Sequence, residues 1–369
     1  MRSFCHLFGL NIDKITSPGV LEKLEEYIAS RQPHLISYLN AHCINRTFID
    51  EKYRQVILDS DIVYADGMAL VWVSHLTNDP LPERVNAGDF LPDLCRLCEQ
   101  KQYKLYFLGS EPGVAESAAE QLQKLFPNLL IVGTQHGYFT EAEEQSIISE
   151  IINSKPDILL VGFGVPQQEK WLAKHYQQLQ VPVAWGVGAL LEYYALKTPR
   201  APRWMRQSGL EWLYRLYLEP RRMWRRYLVG NMVFVMHVLM LVLVDIISVS
   251  ISWISAYWIR EYLSSMFSKH LNPFMYYLYA LPLIIVFWII TSGWYGLYQR
   301  HKVGAEFHEF LAIAKASLLV LLITMAVAFM IKEWDLARSV VLLSGIINFF
   351  LLLITRKVNQ KFNRKEKKN

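Results

Sequence analysis

The sequence predicts an α/β domain followed by an all-α bundle of four membrane-crossing helices, and three observations lead there. Before residue 204, strand-like runs alternate with helical patterns and are punctuated by glycine turns. Beyond Leu228 come four apolar runs near the length that crosses a bilayer. Between them, residues 204–227 interleave arginine with tryptophan and tyrosine, which marks the joint.

The strand signals lie at 7–12, 35–39, 62–65, 104–108, 129–132, 158–162 and 183–187. Between them lie helical patterns such as 114–125 and 141–152. This alternation predicts a Rossmann-like, mostly parallel sheet with helices on both faces. Ligands of such folds bind beyond the carboxyl ends of the strands, so the residues just after each strand carry the functional signal.

The apolar runs cover about 233–259, 274–295, 311–331 and 340–355. A span needs about 20 residues, so the first run is generous and the last is short. Trp253, Tyr257, Trp258, Tyr276, Tyr277, Trp294, Tyr298 and Trp334 fall near their edges, where the headgroup layer favours such rings. Arg221, Arg222, Arg225 and Arg226 precede the first run, and Arg300 and Lys302 separate the second from the third. Arg356, Lys357, Lys361, Arg364, Lys365, Lys367 and Lys368 follow the fourth, whereas the opposite side carries only Arg260, Lys269, Lys332 and Arg338. The positive-inside rule therefore predicts that both termini are cytoplasmic. Asp245 is the one acidic residue well inside a run, and it reads as a group that caps or pairs within the bundle. A homo-oligomer formed through that bundle is compatible with the sequence.

Composition narrows the remaining classes. No charged segment with a short apolar core opens the chain, since Asn11 and Asp13 follow at once, so the first half is expected in the cytosol. Cys5, Cys43, Cys95 and Cys98 suit a compartment where thiols stay reduced. Cys95 and Cys98 form a C-x-x-C with no second pair to complete a zinc site, and they read as buried thiols. His42, His136 and His175 have no ligand spacing, so no metal or other cofactor is expected. The net charge of +5 is modest, and no nucleic-acid partner is expected. The predicted organisation is an α/β domain at 1–203, a membrane-docking segment at 204–230, the bundle at 231–356 and a basic tail at 357–369.

Five strand ends are polar or glycine-bearing: Asn40-Ala41-His42, Asp66-Gly67-Met68, Gly109-Ser110, Gly162-Phe163-Gly164 running to Gln168-Glu169, and Gly186-Val187-Gly188. Glycine lets backbone approach a phosphate or ribose, and a following helix N-terminus favours an anion. Neither short G-x-G has the third glycine of a dinucleotide fingerprint. Together the five favour a nucleotide-binding crevice over a purely structural sheet. Individually they have two readings each. Asp66 is an Asp-Gly turn residue or a base, and Asn40 an Asx turn or a substrate contact. Arg84 and Asp89 are an ion pair or substrate contacts, and Gln168 with Glu169 cap a helix or read the nucleotide.

Taken in order, Asn40-Ala41-His42, Asp66-Gly67-Met68, Arg84 with Gly88-Asp89, Gly164-x-Pro166-x-Gln168-Glu169, Gly186-Val187-Gly188, Arg200-Ala201-Pro202 and Gly209-Leu210-Glu211-Trp212 lead on to Arg215, Glu219-Pro220 and Arg222. This series resembles the WecG/TagA/CpsF family of bacterial glycosyltransferases over about residues 7–230. The resemblance implies transfer of N-acetylmannosamine, its uronic acid or a related hexose from a UDP-sugar to a saccharide on a polyprenyl diphosphate. It further implies inversion at the anomeric carbon, no obligatory metal, and a role in surface polysaccharide or glycolipid assembly at the bacterial inner membrane. The basic segment ending the domain is implied to dock on the membrane and help close the active site. Tyr38, Glu192 and Leu196 depart from the pattern, standing where threonine, aspartate and glycine are frequent. These departures bear on the sugar more than on the reaction.

Val244-Asp245, Ala256-Tyr257-x-x-Arg260, Gly296-Leu297-Tyr298, Glu306 and Ala337-Arg338-Ser339 are loosely similar to the N-terminal four-helix bundle of polyprenyl-phosphate hexose-1-phosphate transferases. The catalytic domain of those enzymes would begin where a lysine-rich tail runs to Asn369, so that second activity is not expected.

The first resemblance implies that Asp66 is the base and that Asn40 contacts the donor sugar or orients the acceptor. Arg84, Asp89, Gly109, Gly164, Gln168, Glu169, Gly186 and Gly188 are expected at the donor site. Arg200, Arg215 and Arg221 are expected to meet the lipid diphosphate or the departing UDP, whereas Arg222, Arg225 and Arg226 read first as positive-inside flanks. The alternative is a non-catalytic scaffold that binds a nucleotide sugar and recruits a separate phosphotransferase through its bundle.

Overall fold

The computed structural model describes residues 2–76, 80–267, 270–298, 306–330 and 336–366. Lys269, Arg300, Lys302, Lys332, Trp334, Lys367 and Lys368 lie outside the described residues, as do the side chains of Glu306, Lys357, Lys361, Arg364 and Lys365. The chain divides into two compact units, Met1–Ser74 with Leu81–Phe234, and His75–Pro80 with Val235–Asn369.

The first unit opens with β1 (Phe4–Leu7) and β2 (Leu10–Asp13), followed by α1 (Ser17–Ser30), β3 (His34–Leu39), α2 (Ala41–Ile49), α3 (Glu51–Asp59), β4 (Ile62–Ala65) and α4 (Met68–Ser74). It continues through α5 (Ala87–Lys101), β5 (Lys104–Gly109), α6 (Val114–Leu125), β6 (Leu130–Gln135), α7 (Glu141–Ser154), β7 (Ile158–Gly162), α8 (Gln167–Leu179) and β8 (Val183–Gly186). Four short helices, α9 (Leu190–Tyr194), α10 (Arg203–Gln207), α11 (Glu211–Leu218) and α12 (Pro220–Trp224), close it.

β3 to β8 form one parallel sheet in the order β4-β3-β8-β7-β5-β6. The connections diverge between β5 and β7: β5 leads outward to β6, and β7 leads the other way to β8. A divergence of this kind opens a crevice at the strand C-termini. The strands are apolar on both faces because helices cover both, which explains their unbroken hydrophobic runs. The four cysteines are free and buried, as the sequence suggests.

The single strand expected at 7–12 is corrected. It is the turn and second strand of an antiparallel hairpin in which Leu7 faces Leu10. Phe8 (φ 53°) and Gly9 (φ 70°) make a two-residue turn with both φ values positive, the geometry that matches strand twist. Phenylalanine rarely takes this conformation. Packing holds it, because the buried Phe8 ring lies edge-on to Phe48 at 6.1 Å and to Phe234 at 5.7 Å between centroids.

The second unit contains most of α13 (Gly230–Tyr262), with α14 (Phe274–Trp294), α15 (Glu306–Met330) and α16 (Arg338–Glu366). Each includes a stretch long and apolar enough to cross a membrane: Val242–Tyr262, Phe274–Trp294, Glu309–Met330 and Arg338–Arg356. The aromatic residues near the ends of the runs divide by exposure. Trp258, Tyr276 and Trp294 are exposed, but Trp253, Tyr257, Tyr277 and Tyr298 are buried, and the Trp253 indole donates to the Tyr277 carbonyl at 2.8 Å. Asp245 pairs within the bundle as expected. It accepts from the Trp288 indole at 3.0 Å and meets the Arg356 guanidinium at 3.4 Å, while Arg356 also donates to the Leu297 carbonyl at 2.7 Å.

Candidate active site

The site grows from the ends of β3 and β4. Asp66 follows β4, and its backbone N–H donates to the Leu39 carbonyl at 2.8 Å, so the ends of the two strands stay in register. Asn40 caps a helix and also meets Asp66. Its Oδ1 caps α2 by accepting from Cys43 N at 3.2 Å, and its Nδ2 reaches Asp66 Oδ2 at 3.5 Å. Gly67 makes this approach possible, since a Cβ there would lie 3.2 Å from Asn40 Cβ.

The other Asp66 oxygen is held by Asn86, whose Nδ2 donates at 2.5 Å. Asn86 precedes α5 without capping it by its side chain; its Oδ1 instead accepts from Arg200 at 3.1 Å. The loop reaches this place because Val85 N donates to the Ala65 carbonyl at 2.8 Å, which lays it along the end of β4. Burial pushes the Asp66 carboxyl up to about 6, against the pull of Arg84 and the two amides, with Glu211 adding to the rise.

Arg84 and Asp89 are an ion pair, and both belong to a larger cluster. Asp89 also takes Arg200 at 3.0 Å and Arg206, while Arg84 bonds Glu211 at 3.1 Å. Arg200 donates to the Gly88 carbonyl at 2.6 Å, and the missing Gly88 side chain leaves room for its guanidinium. The Tyr193 ring lies between Arg200 and Arg215, at 5.3 and 5.5 Å from its centroid. Arg215 Nε is buried without a hydrogen-bond partner, and so is Arg226 Nε. Arg84, Arg200, Arg206 and Arg215 stand among the carboxylates of Asp66, Asp89, Glu211 and Glu219, a cluster of guanidinium groups suited to meet an anion. Burial, with Arg226 and Arg46 close by, lowers the His42 imidazole to about 4, so His42 is neutral at pH 7.

Gln168 and Glu169 are both buried. Gln168 Oε1 accepts from Gly164 N at 3.1 Å and Gly188 N at 3.0 Å, and its Nε2 donates to Glu169 Oε1 at 2.7 Å. Gln168 therefore staples the β7 and β8 loops together, a function its place at the start of a helix did not reveal. Burial raises Glu169 to about 7. The glycines also have a packing reason. A Cβ on Gly109 would lie 2.6 Å from the Gly162 carbonyl oxygen, one on Gly186 2.9 Å from Gln168 Nε2, and one on Gly188 2.7 Å from the Tyr38 hydroxyl. Gly164, at φ 82° with open space around it, is required by conformation instead.

Arg221 is exposed on α12, whereas Arg200 and Arg215 are half-buried. Asn86 and Tyr193 were not singled out from the sequence, since a loop asparagine and a residue of a short helix give no periodic signal, and Arg206 was read only as one of the interleaved arginines. Leu196 has φ 57° and is 76% exposed. Glycine there removes αL strain without losing packing, so Leu196→Gly should stabilise the protein by about 0.5–1 kcal/mol. Thermal unfolding in detergent checks this, and a lowered midpoint would contradict it.

A model of the Glycosyl transferase WecG/TagA/CpsF family matches residues 5–244. Proteins of Staphylococcus aureus strains NCTC 8325 / PS 47 and COL are each 28% identical over 221 residues, covering 59% of this chain and 86% of the relative. Both are named N-acetylglucosaminyldiphosphoundecaprenol N-acetyl-beta-D-mannosaminyltransferase.

Proposed function

The chain belongs to the WecG/TagA/CpsF family of glycosyltransferases, and from that premise we propose that it moves a sugar from a UDP-sugar to a saccharide on a polyprenyl diphosphate, with inversion. The observation that carries this reading is Asp66, a carboxyl bonded by two amides, raised to about 6 and set beside the Arg84 guanidinium. At pH 7 it is mostly ionised and still basic enough to take a proton from an acceptor hydroxyl as that oxygen attacks the anomeric carbon. The leaving diphosphate gathers negative charge on the opposite face. Arg215, whose Nε is unbonded, is the group best prepared to meet it, and Arg84 and Arg200 set the surrounding field. The scaffold reading has no corresponding use for a carboxyl held in this way.

The relatives' names make N-acetylmannosamine the first sugar to test and N-acetylglucosaminyl-diphosphoundecaprenol the first acceptor. Four helices able to cross a membrane support a location in the bacterial cytoplasmic membrane. The lysine and arginine flanks support cytoplasmic termini, with 204–230 as the segment that docks the catalytic unit at the membrane face. The full chain in nanodiscs should release UDP only when donor and lipid-linked acceptor are both present. Donor binding without UDP release across a panel of UDP-hexoses and prenyl-diphosphate saccharides would sink the enzymatic reading and leave the scaffold.

A further inference from the structure

The geometry points to a lipid contact made by the catalytic unit itself, separate from its arginine-rich segment: the last turn of α2 inserts into the headgroup layer of the bilayer. Cys43, Ile44 and Thr47 turn inward from α2 and are buried, and Phe48 and Ile49 remain 48% and 74% exposed. An apolar pair of this kind at the end of a short helix carries no argument alone.

The connection to α13 identifies the occupant. Phe8 bridges Phe48 to Phe234 through its two edge-on ring contacts, and Asn45 Nδ2 donates to the Gly230 carbonyl at 2.7 Å. α2 is thus clamped to the opening turns of the helix whose continuation is the first candidate span. In these opening turns α13 exposes Met232 and Val233, and no Asp, Glu, Lys or Arg stands between Arg226 and Asp245. A helix that shows apolar side chains on several faces requires an apolar surround. Since α13 continues into a candidate membrane span, that surround is lipid, and Phe48 is joined to Phe234 through the Phe8 ring. Arg46 and Lys52 lie near the pair, and of the two acids that follow it Asp50 is neutralised by Lys170 while Glu51 is exposed, so the apolar side chains and not charge make the contact.

Asn40 caps the other end of the same helix beside Asp66. Nine residues of α2, about 13 Å of rise, therefore separate the candidate base from the lipid-touching turn.

The test uses the full chain in nanodiscs containing phosphatidylglycerol. Because the native cysteines are buried, Ile49→Cys can be labelled selectively with an environment-sensitive fluorophore. Leu125→Cys on α6, at a residue 67% exposed, serves as control. Spin-labelled lipid should quench the label at 49 by at least about two-fold and leave that at 125 unchanged. Equal quenching at the two positions overturns the inference. So does a label at 49 that is shielded from aqueous iodide but untouched by the lipid quencher, which would mean that protein, including a second copy of the chain, covers the turn. Neither readout depends on glycosyl transfer.

Discussion

Asp66→Asn should lower turnover by about 10²–10⁴-fold, the range for loss of a general base, while UDP binding and the fold persist. The fold should persist because the two existing amides can accommodate the change unequally. Asn86 donates to one Asp66 oxygen at 2.5 Å and Asn40 to the other at 3.5 Å. An asparagine can keep its oxygen towards Asn86 and give up only the long Asn40 contact. Turnover of the wild type should fall as pH drops through about 6, where Asp66 protonates, and the variant should lose that limb. The stability sign is opposite. A carboxyl raised in the folded state binds its proton more tightly there than when unfolded, so its contribution is greatest below the ordinary value of 3.8 and is lost as pH rises through about 6. The enzyme gains activity over the window in which this group ceases to stabilise it. A variant with near-normal turnover, or with the acid limb unchanged, would remove Asp66 from the mechanism.

Arg215→Gln should cost about ten- to a hundred-fold in rate, equivalent to one charge-assisted contact of about 1.5–3 kcal/mol made in the transition state. Arg215 has its Nε unbonded and its guanidinium over Tyr193, so its removal breaks no internal hydrogen bond at that nitrogen. Arg215→Lys should recover part of the loss, since the ammonium keeps the charge but not the fork. Arg221→Gln, at an exposed position, should cost less than Arg215→Gln. Activity per membrane-inserted molecule is the measurement. If Arg215→Gln matches wild type, this arginine belongs to the topology flank and not to the site.

The sheet was legible because strands buried on both faces write themselves as apolar runs: 62–65 and 158–162 match β4 and β7 end to end, and 114–125 matches α6. The strand-end rule located Asn40 and Asp66 for the same reason, as it needs only where a strand stops. The hairpin was not legible, because Phe8-Gly9 is not a familiar turn pair and its φ values are maintained by rings far away in sequence. Asn86 was hidden because its role depends on a loop lying along β4, which no local pattern encodes. Gln168 and Glu169 read as helix caps or nucleotide contacts, and the loop-to-loop bonding of Gln168 stayed hidden because it depends on tertiary packing. Trp253 and Tyr277 read as edge residues because sequence fixes their depth along a helix but not the side they face.

The pairing of Asp245 with Arg356 imposes an order on synthesis. The two residues are 111 positions apart, so the helix bearing the carboxylate leaves the ribosome long before its counter-charge. A charged group at membrane depth is expensive until it is paired. The Trp288 indole, on α14, is a nearer partner in sequence than the guanidinium on α16. A chain that stops before Arg356 should therefore leave the buried Asp245 side chain without its counter-charge, and the last helix completes the polar pairing that the first one begins.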